Sequence, residues 1–442
     1  MKTPTHSVAS LLAYVSLGFA GKALTLPIIS YLPPTYSQAS GLSLAAIGVV
    51  FMLARLSDIV MDPLAGYLLD RTSLPWDRHK VWLLVSLPLL LLSIPPLFAP
   101  THFSFIRTGG MPTAIAMLLV FYLGWTLLTI TQTAWVTEIA GRAVDRTRVI
   151  AWREWAGVLG MLSIVFAPTV MENIGHGALV SQTAAMGVFA FFAVLISCIT
   201  AIGLVRSSPS VGARPTKLFF AYELVKKSAN LRRILAADLL SGFGFAVFSS
   251  TSFFIFSSHL QLGAHFSNLM FAYMGGLIVG VPLTLAFNLK VGGPATCFRI
   301  SMIGAAAAIL GLFFSPVGDL LPAIALQFLA GIFTGGYQTN LNALMAEETV
   351  HQHDTDHSTS SGSHFALLAL TNKVGYAVAI GISYPLLQFM GFSARASEIH
   401  TTAYSNAALL WIGLAGTAIF LVAAGFCLKT KRATGKGSVL AS

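Results

Sequence analysis

Long apolar stretches recur along the whole chain and alternate with short polar segments. Each stretch has about 18 or more residues, which is the length that an α-helix needs to cross the ~30 Å hydrocarbon core of a bilayer. The pattern therefore predicts twelve membrane-spanning helices, with little room left for a large domain outside the membrane. They centre on 9–32, 42–69, 81–99, 113–138, 151–172, 183–205, 234–258, 266–288, 298–317, 321–345, 364–390 and 403–428.

The longest polar segment, at 207–233, separates the first six predicted helices from the last six. This division predicts an N-terminal six-helix half at 1–206, a cytoplasmic central loop at 207–233 and a C-terminal six-helix half at 234–442. In membrane proteins built from two such bundles, small ligands bind near the bilayer midplane, between the bundles. The expected fold class is an all-α polytopic membrane protein of two six-helix halves.

Composition excludes a soluble or a disordered chain. Hydrophobic residues make up 55% of the 442 residues and charged residues only 10%, and the mean hydropathy is +0.77. Ordinary globular domains have about 25% charged residues. So few charged residues cannot form the water-exposed surface of a soluble protein of this size. We therefore expect the chain to lie in the lipid bilayer.

The net charge is +10, and the Lys and Arg residues lie mostly in alternate connecting segments, which face one side of the membrane. The opposite side has only Arg107 and Arg395. Because positively charged loops face the cytoplasm, we expect both termini there, in a bacterial inner membrane. Nucleic acid is not an expected partner, since no soluble basic surface is available to bind it.

Four ionisable residues stand out within the predicted spans: Arg55, Asp58 and Asp62 in the second, and Lys373 in the eleventh. At 100° per residue, the first three share one face of a helix. Charges at mid-membrane are costly and need partners, and two carboxylates one turn apart repel each other unless cations lie between them. The pattern favours an exchangeable cation site. A permanent ion-pair cluster that only fixes helix contacts is the alternative.

The same residues carry a family resemblance. The run ARLSDIVMDPLAGYLLDRT at 54–72, with WDRHKVW at 76–82, resembles the second span and following loop of the glycoside–pentoside–hexuronide:cation symporters, the melibiose permease family of the major facilitator superfamily. DRTRVIAWREWAGVLG at 145–160 and LTNKVGYAVAIGISYPLL at 370–387 extend the resemblance to later spans. It implies a major facilitator fold and a transport function.

The resemblance implies roles for these residues. Asp58 and Asp62 would bind the coupling cation, with Lys373 facing them and Arg55 orienting them. Thr131 falls where the family has a further carboxylate, and Met61 where it often has an amide. With fewer hard oxygen ligands the site would take H⁺, or Na⁺ completed by the Thr131 hydroxyl.

The resemblance also indicates a substrate region near Lys22, Trp135 and Lys373. The family's sugar-binding acid of the first span is absent near Lys22, so an anionic solute is favoured there; pairing of Lys22 within the membrane interface is the alternative. Trp135 matches a tryptophan that could stack on a sugar ring.

Charged residues at the cytoplasmic ends of three spans suggest a gate that latches and releases during transport, or else ordinary interfacial anchoring. They are Asp70, Arg71, Glu138, Arg146, Arg148 and Arg153. Asp238, near the start of the seventh span, is interpreted as a local partner of Arg232 and Arg233.

The function that we expect is symport of a small solute, coupled to H⁺ or Na⁺, by alternating access. A sugar, a glycoside or a uronate-like organic anion is the expected substrate. Exchange or efflux of an amphiphilic lipid or drug-like solute is one alternative, and a non-transporting receptor is another. The chain lacks the GxxxxGKS and HExxH motifs, so neither an enzyme, a cofactor nor a metal site is predicted, and we expect a monomer.

Overall fold

The structure, a computed structural model, is all-helical in the residues that it describes: 8–40, 42–72, 77–139, 143–175, 178–205, 225–226, 228–291, 293–355, 361–392 and 403–426. Twelve helical segments in these ranges are long and apolar enough to cross a membrane. The predicted all-α polytopic fold is thereby confirmed. The α-helices are α1 Val8–Ala23, α2 Leu32–Ala39, α3 Leu44–Arg71, α4 Arg78–Phe98, α5 Ser104–Ile139, α6 Ala143–Asn173, α7 Leu179–Leu204, α8 Ala229–Phe254, α9 Phe266–Val291, α10 Pro294–Phe313, α11 Leu320–Thr355, α12 Ser361–Phe389 and α13 Ala403–Phe426.

The first span is not one continuous α-helix. A π-helical turn at Pro27–Tyr31 joins α1 to α2, and the whole segment Val8–Ala39 forms the span. Proline removes a backbone donor, which explains why the regular hydrogen-bond ladder changes there. Each later helix, from α3 to α13, forms one span.

Helices begin where the sequence supplies a cap. The Ser43 side chain accepts a hydrogen bond from Ala46 N at the start of α3, and Ser228 accepts one from Leu231 N at the start of α8. Asp77 does the same for His79 N at the start of α4. These side chains satisfy backbone donors that have no partner within the helix, so they fix where the spans begin.

Large apolar side chains remain exposed on the outside of the bundle, among them Leu321, Phe389 and Trp411. Exposure of this kind suits a surface that faces lipid, not water. We call α1 to α7 the N-terminal set and α8 to α13 the C-terminal set. Residues 206–224 and Lys227 lie outside the described residues, so the predicted half boundaries and the central loop stay predictions.

Glycines bring α9 and α11 into unusually close contact. A Cβ atom added at Gly276 would overlap the Phe328 carbonyl oxygen, and one at Gly331 would overlap the Tyr273 carbonyl oxygen. Small residues allow this backbone approach in lipid, where packing drives helix association. The two helices therefore form a rigid pair.

The two sets are joined at one end of the bundle, where α2 ends and α3 begins; we call it the α2–α3 end. Ser30 Oγ lies 2.7 Å from Ser249 Oγ of α8. On α3, Ala45 N donates to Gln388 Oε1 of α12 at 2.7 Å. Both bonds cross from the N-terminal set to the C-terminal set, so this end is closed.

Candidate functional site

The acidic pair predicted in the second span lies at the contact between the two sets. Asp58 and Asp62 of α3 both face Lys373 of α12. Lys373 Nζ contacts Asp62 Oδ2 directly and is 3.6 Å from Asp58 Oδ2. The Asp58 side chain is 4% exposed and that of Asp62 is 36% exposed. One acid is thus buried, and the other is partly exposed.

Arg55 approaches the same pair from within α3. Its Nη1 lies 3.6 Å from Asp58 Oδ2. Three rings surround the guanidinium: its Cζ is 5.8 Å from the centre of Tyr122, 5.7 Å from Trp125 and 6.0 Å from Tyr376. Aromatic faces stabilise a cation at such distances. Arg55 is therefore held in place as a fixed positive charge beside Asp58.

The hydroxyl that contacts both acids is that of Thr126 on α5. Thr126 Oγ1 donates to Asp62 Oδ1 at 3.1 Å and lies 3.4 Å from Asp58 Oδ1. Thr131, which the sequence suggested for the cation site, is buried on the same helix. Five residues correspond to a rotation of about 140° around the helix axis, so Thr126 and Thr131 point in different directions. The role of Thr131 stays a prediction.

Lys22 of α1 pairs with an acid of the N-terminal set. Its Nζ lies 2.9 Å from Glu154 Oε2, and Arg153 Nη2 lies 2.7 Å from Glu154 Oε1. Both side chains of the Lys22–Glu154 pair are nearly half exposed. The positive charge of Lys22 is therefore already shared with a carboxylate, which corresponds to the pairing alternative. Its role in binding an anionic solute stays a prediction.

Trp135 is fully buried in α5. Its ring stacks on His79 of α4, with ring centres 5.5 Å apart and planes at 7°. One face of the indole is thus covered by a protein side chain. Stacking of Trp135 on a sugar stays a prediction that this arrangement does not support.

The predicted cytoplasmic gate is described only in part. The side chains of Asp70, Glu138 and Arg146 lie outside the described residues. Arg71 and Arg148 are exposed, and Arg71 Cζ lies 4.6 Å from the Tyr67 ring centre. Arg153 belongs to the Lys22–Glu154 group. The gate stays a prediction.

Asp238 does not pair with Arg232, one of the two arginines that the sequence suggested, and that part of the interpretation is wrong. Asp238 is fully buried, and its Oδ2 accepts a hydrogen bond from Thr371 Oγ1 at 2.5 Å. Arg232 Nη1 instead donates to the carbonyl oxygens of Val225 and Lys226. The acid points into the bundle because α8 packs against α12 there.

Sequence reasoning missed an acid at the closed α2–α3 end. Glu172, in the last turn of α6, accepts hydrogen bonds from Ser267 N at 2.5 Å and from Asn268 N at 2.9 Å. These are free amide groups in the first turn of α9, which a carboxylate stabilises. Gln182 Nε2 donates to the same acid at 3.0 Å. Glu172 thus joins α6 of one set to α9 of the other.

Comparison with known proteins identifies the class. A sequence profile of the MFS/sugar transport protein family matches residues 13–430, and the chain belongs to that family. The resemblance to the glycoside–pentoside–hexuronide:cation symporters is confirmed. The chain is an integral membrane transporter of the major facilitator type with a small-molecule substrate, and not an enzyme.

Curated relatives match over most of their length. The chain is 25% identical, over 83% of its length and 81% of the relative's, to a putative 2,3-dihydroxypropane-1-sulfonate exporter of Salmonella typhimurium. It is 23% identical to a glucuronide carrier protein homolog of Escherichia coli, over 86% of this chain and 82% of that one.

Among solved structures, a D-xylose-proton symporter shares the fold. Its TM-score is 0.70 and its sequence identity 13%, over 95% of this chain and 97% of that chain.

Proposed function

We propose that this transporter couples the uptake of a small hydroxylated solute to the entry of H⁺ or Na⁺ by alternating access. The observation that carries the proposal is the group of Arg55, Asp58, Asp62 and Lys373, which lies where α3 of one set meets α12 of the other. Ionisable groups within a membrane protein are costly and accompany ion pathways.

The geometry supports a competition between the cation and Lys373. Without a bound cation, the ammonium group neutralises Asp62 and partly neutralises Asp58. A proton or Na⁺ at the acids weakens this pairing, because opposite charges hold the lysine there. Loss of the pairing loosens α3 from α12 and favours movement of one set against the other. The Thr126 hydroxyl and the two carboxylates supply oxygen ligands, which a hard cation such as Na⁺ prefers.

The closed α2–α3 end defines the proposed conformation. With both termini in the cytoplasm of a bacterial cell, this end faces the periplasm, so the protein is closed to the outside. The bonds of Ser30 with Ser249 and of Glu172 with α9 must then break to admit solute. We expect the protein to act as a monomer in the inner membrane.

The family supports a sugar, glycoside or uronate-like anion as the solute. Similarity to a putative exporter favours a second candidate, efflux of a hydroxylated organic anion. The paired Lys22 leaves no strong reason to require a negative charge on the solute.

Transport into proteoliposomes tests the proposal. The probes are methyl β-D-glucopyranoside, methyl β-D-glucuronide and 2,3-dihydroxypropane-1-sulfonate, each offered with an inward H⁺ or Na⁺ gradient. We expect one gradient to drive a probe above its equilibrium level. Asp58→Asn and Asp62→Asn should abolish this accumulation, because each removes a carboxylate that binds the cation.

Asp319→Asn is the matched control, since Asp319 is exposed outside the spans; it should accumulate probe like wild type. If Asp58→Asn and Asp62→Asn both accumulate probe to the wild-type level, the cation site is refuted. Expulsion of preloaded probe as the cation enters would instead establish the efflux candidate.

A further inference from the structure

A cavity lies between the two sets, directly below the closed α2–α3 end. In this closed conformation it is small, with about 10 Å³ of space for a water-sized group. Leu26 lines it from the N-terminal set, while α8, α9 and α11 supply the rest of its wall. Ser249, whose hydroxyl bonds to Ser30 across the sets, also lines this cavity. A ligand here would therefore contact the residue that helps to close the α2–α3 end.

Gln327 of α11 is the unusual residue in this wall. Its side chain is fully buried, and neither Oε1 nor Nε2 has a hydrogen-bond partner among the described residues. Buried amides are normally hydrogen-bonded, because an unpaired polar group lowers stability. A side-chain amide can donate two hydrogen bonds and accept two. All of that capacity is unused at a position that lines a cavity.

Tyr273 of α9 adds a second polar group. Its hydroxyl lies in the same wall and has no hydrogen-bond partner in the described part of the chain. The Thr334 hydroxyl donates to the Ala330 carbonyl oxygen, so towards Tyr273 its oxygen can only accept. The glycine contacts hold α9 and α11 close together, and Tyr273 and Gln327 lie in the same wall of the cavity.

The remaining wall is uncharged, and two of its side chains are phenylalanines. Phe245 and Phe248 of α8 face the cavity beside Tyr273, and the Phe245 and Tyr273 ring centres are 6.2 Å apart. Apolar ring faces pack against the C–H faces of a ligand, while a few placed polar groups fix its orientation. A free amide that both donates and accepts suits a hydroxyl, which also does both.

Aromatic contacts connect this cavity to the acid pair. The Phe245 ring lies 5.6 Å from Tyr376 of α12, and Tyr376 in turn lies 6.0 Å from the Arg55 guanidinium. Only two rings therefore separate the cavity from the charged group. A solute that moves the Phe245 ring can thus change the position of the Arg55 side chain beside Asp58.

We infer that Gln327 and Tyr273 form a subsite in the C-terminal set that hydrogen-bonds hydroxyl groups of the transported solute. The inference rests on the proposed function and specifies it further. The solute presents a neutral, hydroxylated carbon ring or chain to this wall, whatever charge its other end carries. Specificity for hydroxyls then comes from the amide of Gln327, and Phe245 and Phe248 supply apolar contact.

Equilibrium binding to the purified full-length protein tests the inference. The probes are methyl β-D-glucopyranoside, methyl β-D-glucuronide and 2,3-dihydroxypropane-1-sulfonate. For any probe that binds wild type, we expect Gln327→Leu to raise Kd at least about tenfold, because a hydroxyl loses its partner in a dry site. Tyr273→Phe should raise Kd by a smaller factor. Gln327→Leu should also keep or raise Tm, since it removes an unpaired buried amide.

Deoxy analogues of the bound probe separate recognition from general damage. One deoxy analogue lacks the hydroxyl that bonds to Gln327. Wild type should bind this analogue with the same Kd that Gln327→Leu shows for the complete probe. Gln327→Leu should bind the analogue no more weakly than wild type does. For 2,3-dihydroxypropane-1-sulfonate, the analogues are the two monohydroxy sulfonates.

Unchanged Kd in both variants, or an equal loss for every deoxy analogue, overturns the subsite while leaving the transport proposal intact. Failure of wild type to bind or transport any of the probes rejects the proposed function itself, and the subsite with it. Asn340→Leu is a control, because Asn340 is also buried in α11 with an unpaired oxygen but does not line this cavity. Its Kd should stay at the wild-type value.

Discussion

At the scale of single residues, the site depends on which threonine faces the acids. Thr126 Oγ1 reaches Asp62 Oδ1 at 3.1 Å, whereas Thr131 is buried elsewhere around α5. Both belong to a run of hydroxyl residues, and only the rotation of the helix distinguishes them. Counting positions along a sequence does not fix that rotation.

Replacement of each threonine separates their roles. We expect Thr126→Ala to raise the cation concentration needed for half-maximal uptake about threefold to tenfold, because the acids lose a neighbouring hydroxyl. Thr131→Ala should leave that concentration unchanged. The measurement is initial uptake in proteoliposomes as a function of pH or Na⁺. If Thr131→Ala raises that concentration more than Thr126→Ala does, Thr131 is the cation ligand, as the sequence suggested.

At the scale of elements, the contact of α6 with α9 depends on one carboxylate. Glu172 accepts from Ser267 N and Asn268 N and from Gln182 Nε2. Caps at helix N-termini contribute about 1 kcal/mol. This cap joins the two sets, so we expect the loss of Glu172 to change the relative position of the sets as well as the stability of α9.

Glu172→Ala is expected to shift the protein towards a conformation open at the α2–α3 end. Alkylation of a cysteine introduced at Ser252, a residue that lines the cavity, measures this opening in a background without native cysteines. We expect the alkylation rate from the outside to rise about fivefold or more, as a loss of about 1 kcal/mol implies.

Glu172→Gln keeps an acceptor oxygen and should show a smaller increase. The same rate in wild type and in Glu172→Ala would show that Glu172 does not hold this end closed.

The sequence was enough to predict most of the membrane-spanning helices, but not all residues of the candidate site. Twelve apolar stretches fixed the spans because the bilayer sets their length. Arg55, Asp58, Asp62 and Lys373 were recognisable because charges are rare in such stretches. Gln327 was not, since an amide in a span is common. Side-chain partners such as His79 for Trp135 depend on packing between helices, which periodicity does not specify.

At the scale of the whole molecule, the proposed alternating access requires the two sets to separate at the α2–α3 end during each transport cycle. Ser30 Oγ and Ser249 Oγ lie 2.7 Å apart across that boundary. The π-helical turn at Pro27–Tyr31 carries Ser30, so this boundary lies at an irregular part of the first span. A covalent link there would hold the end closed.

Ser30→Cys combined with Ser249→Cys tests this requirement in the same cysteine-free background. We expect oxidation to form a disulfide and to reduce uptake to below about a tenth of the unoxidised rate, because the protein can no longer open outward. Reductant should restore uptake. Each single variant should transport at the same rate with and without oxidation. Full transport by the cross-linked protein would mean that the two sets do not separate here.

The balance of charge around Lys373 has an electrical consequence. With all four groups ionised, Arg55 and Lys373 offset Asp58 and Asp62, so the empty carrier moves no net charge through this site. An anionic solute would cancel the charge of a monovalent cation, whereas with a neutral solute the loaded carrier carries one extra positive charge. A membrane potential of 100 mV acts on such a charge with about 2.3 kcal/mol. The voltage across the membrane would therefore drive the loaded step inward and leave the return of the empty protein almost unaffected.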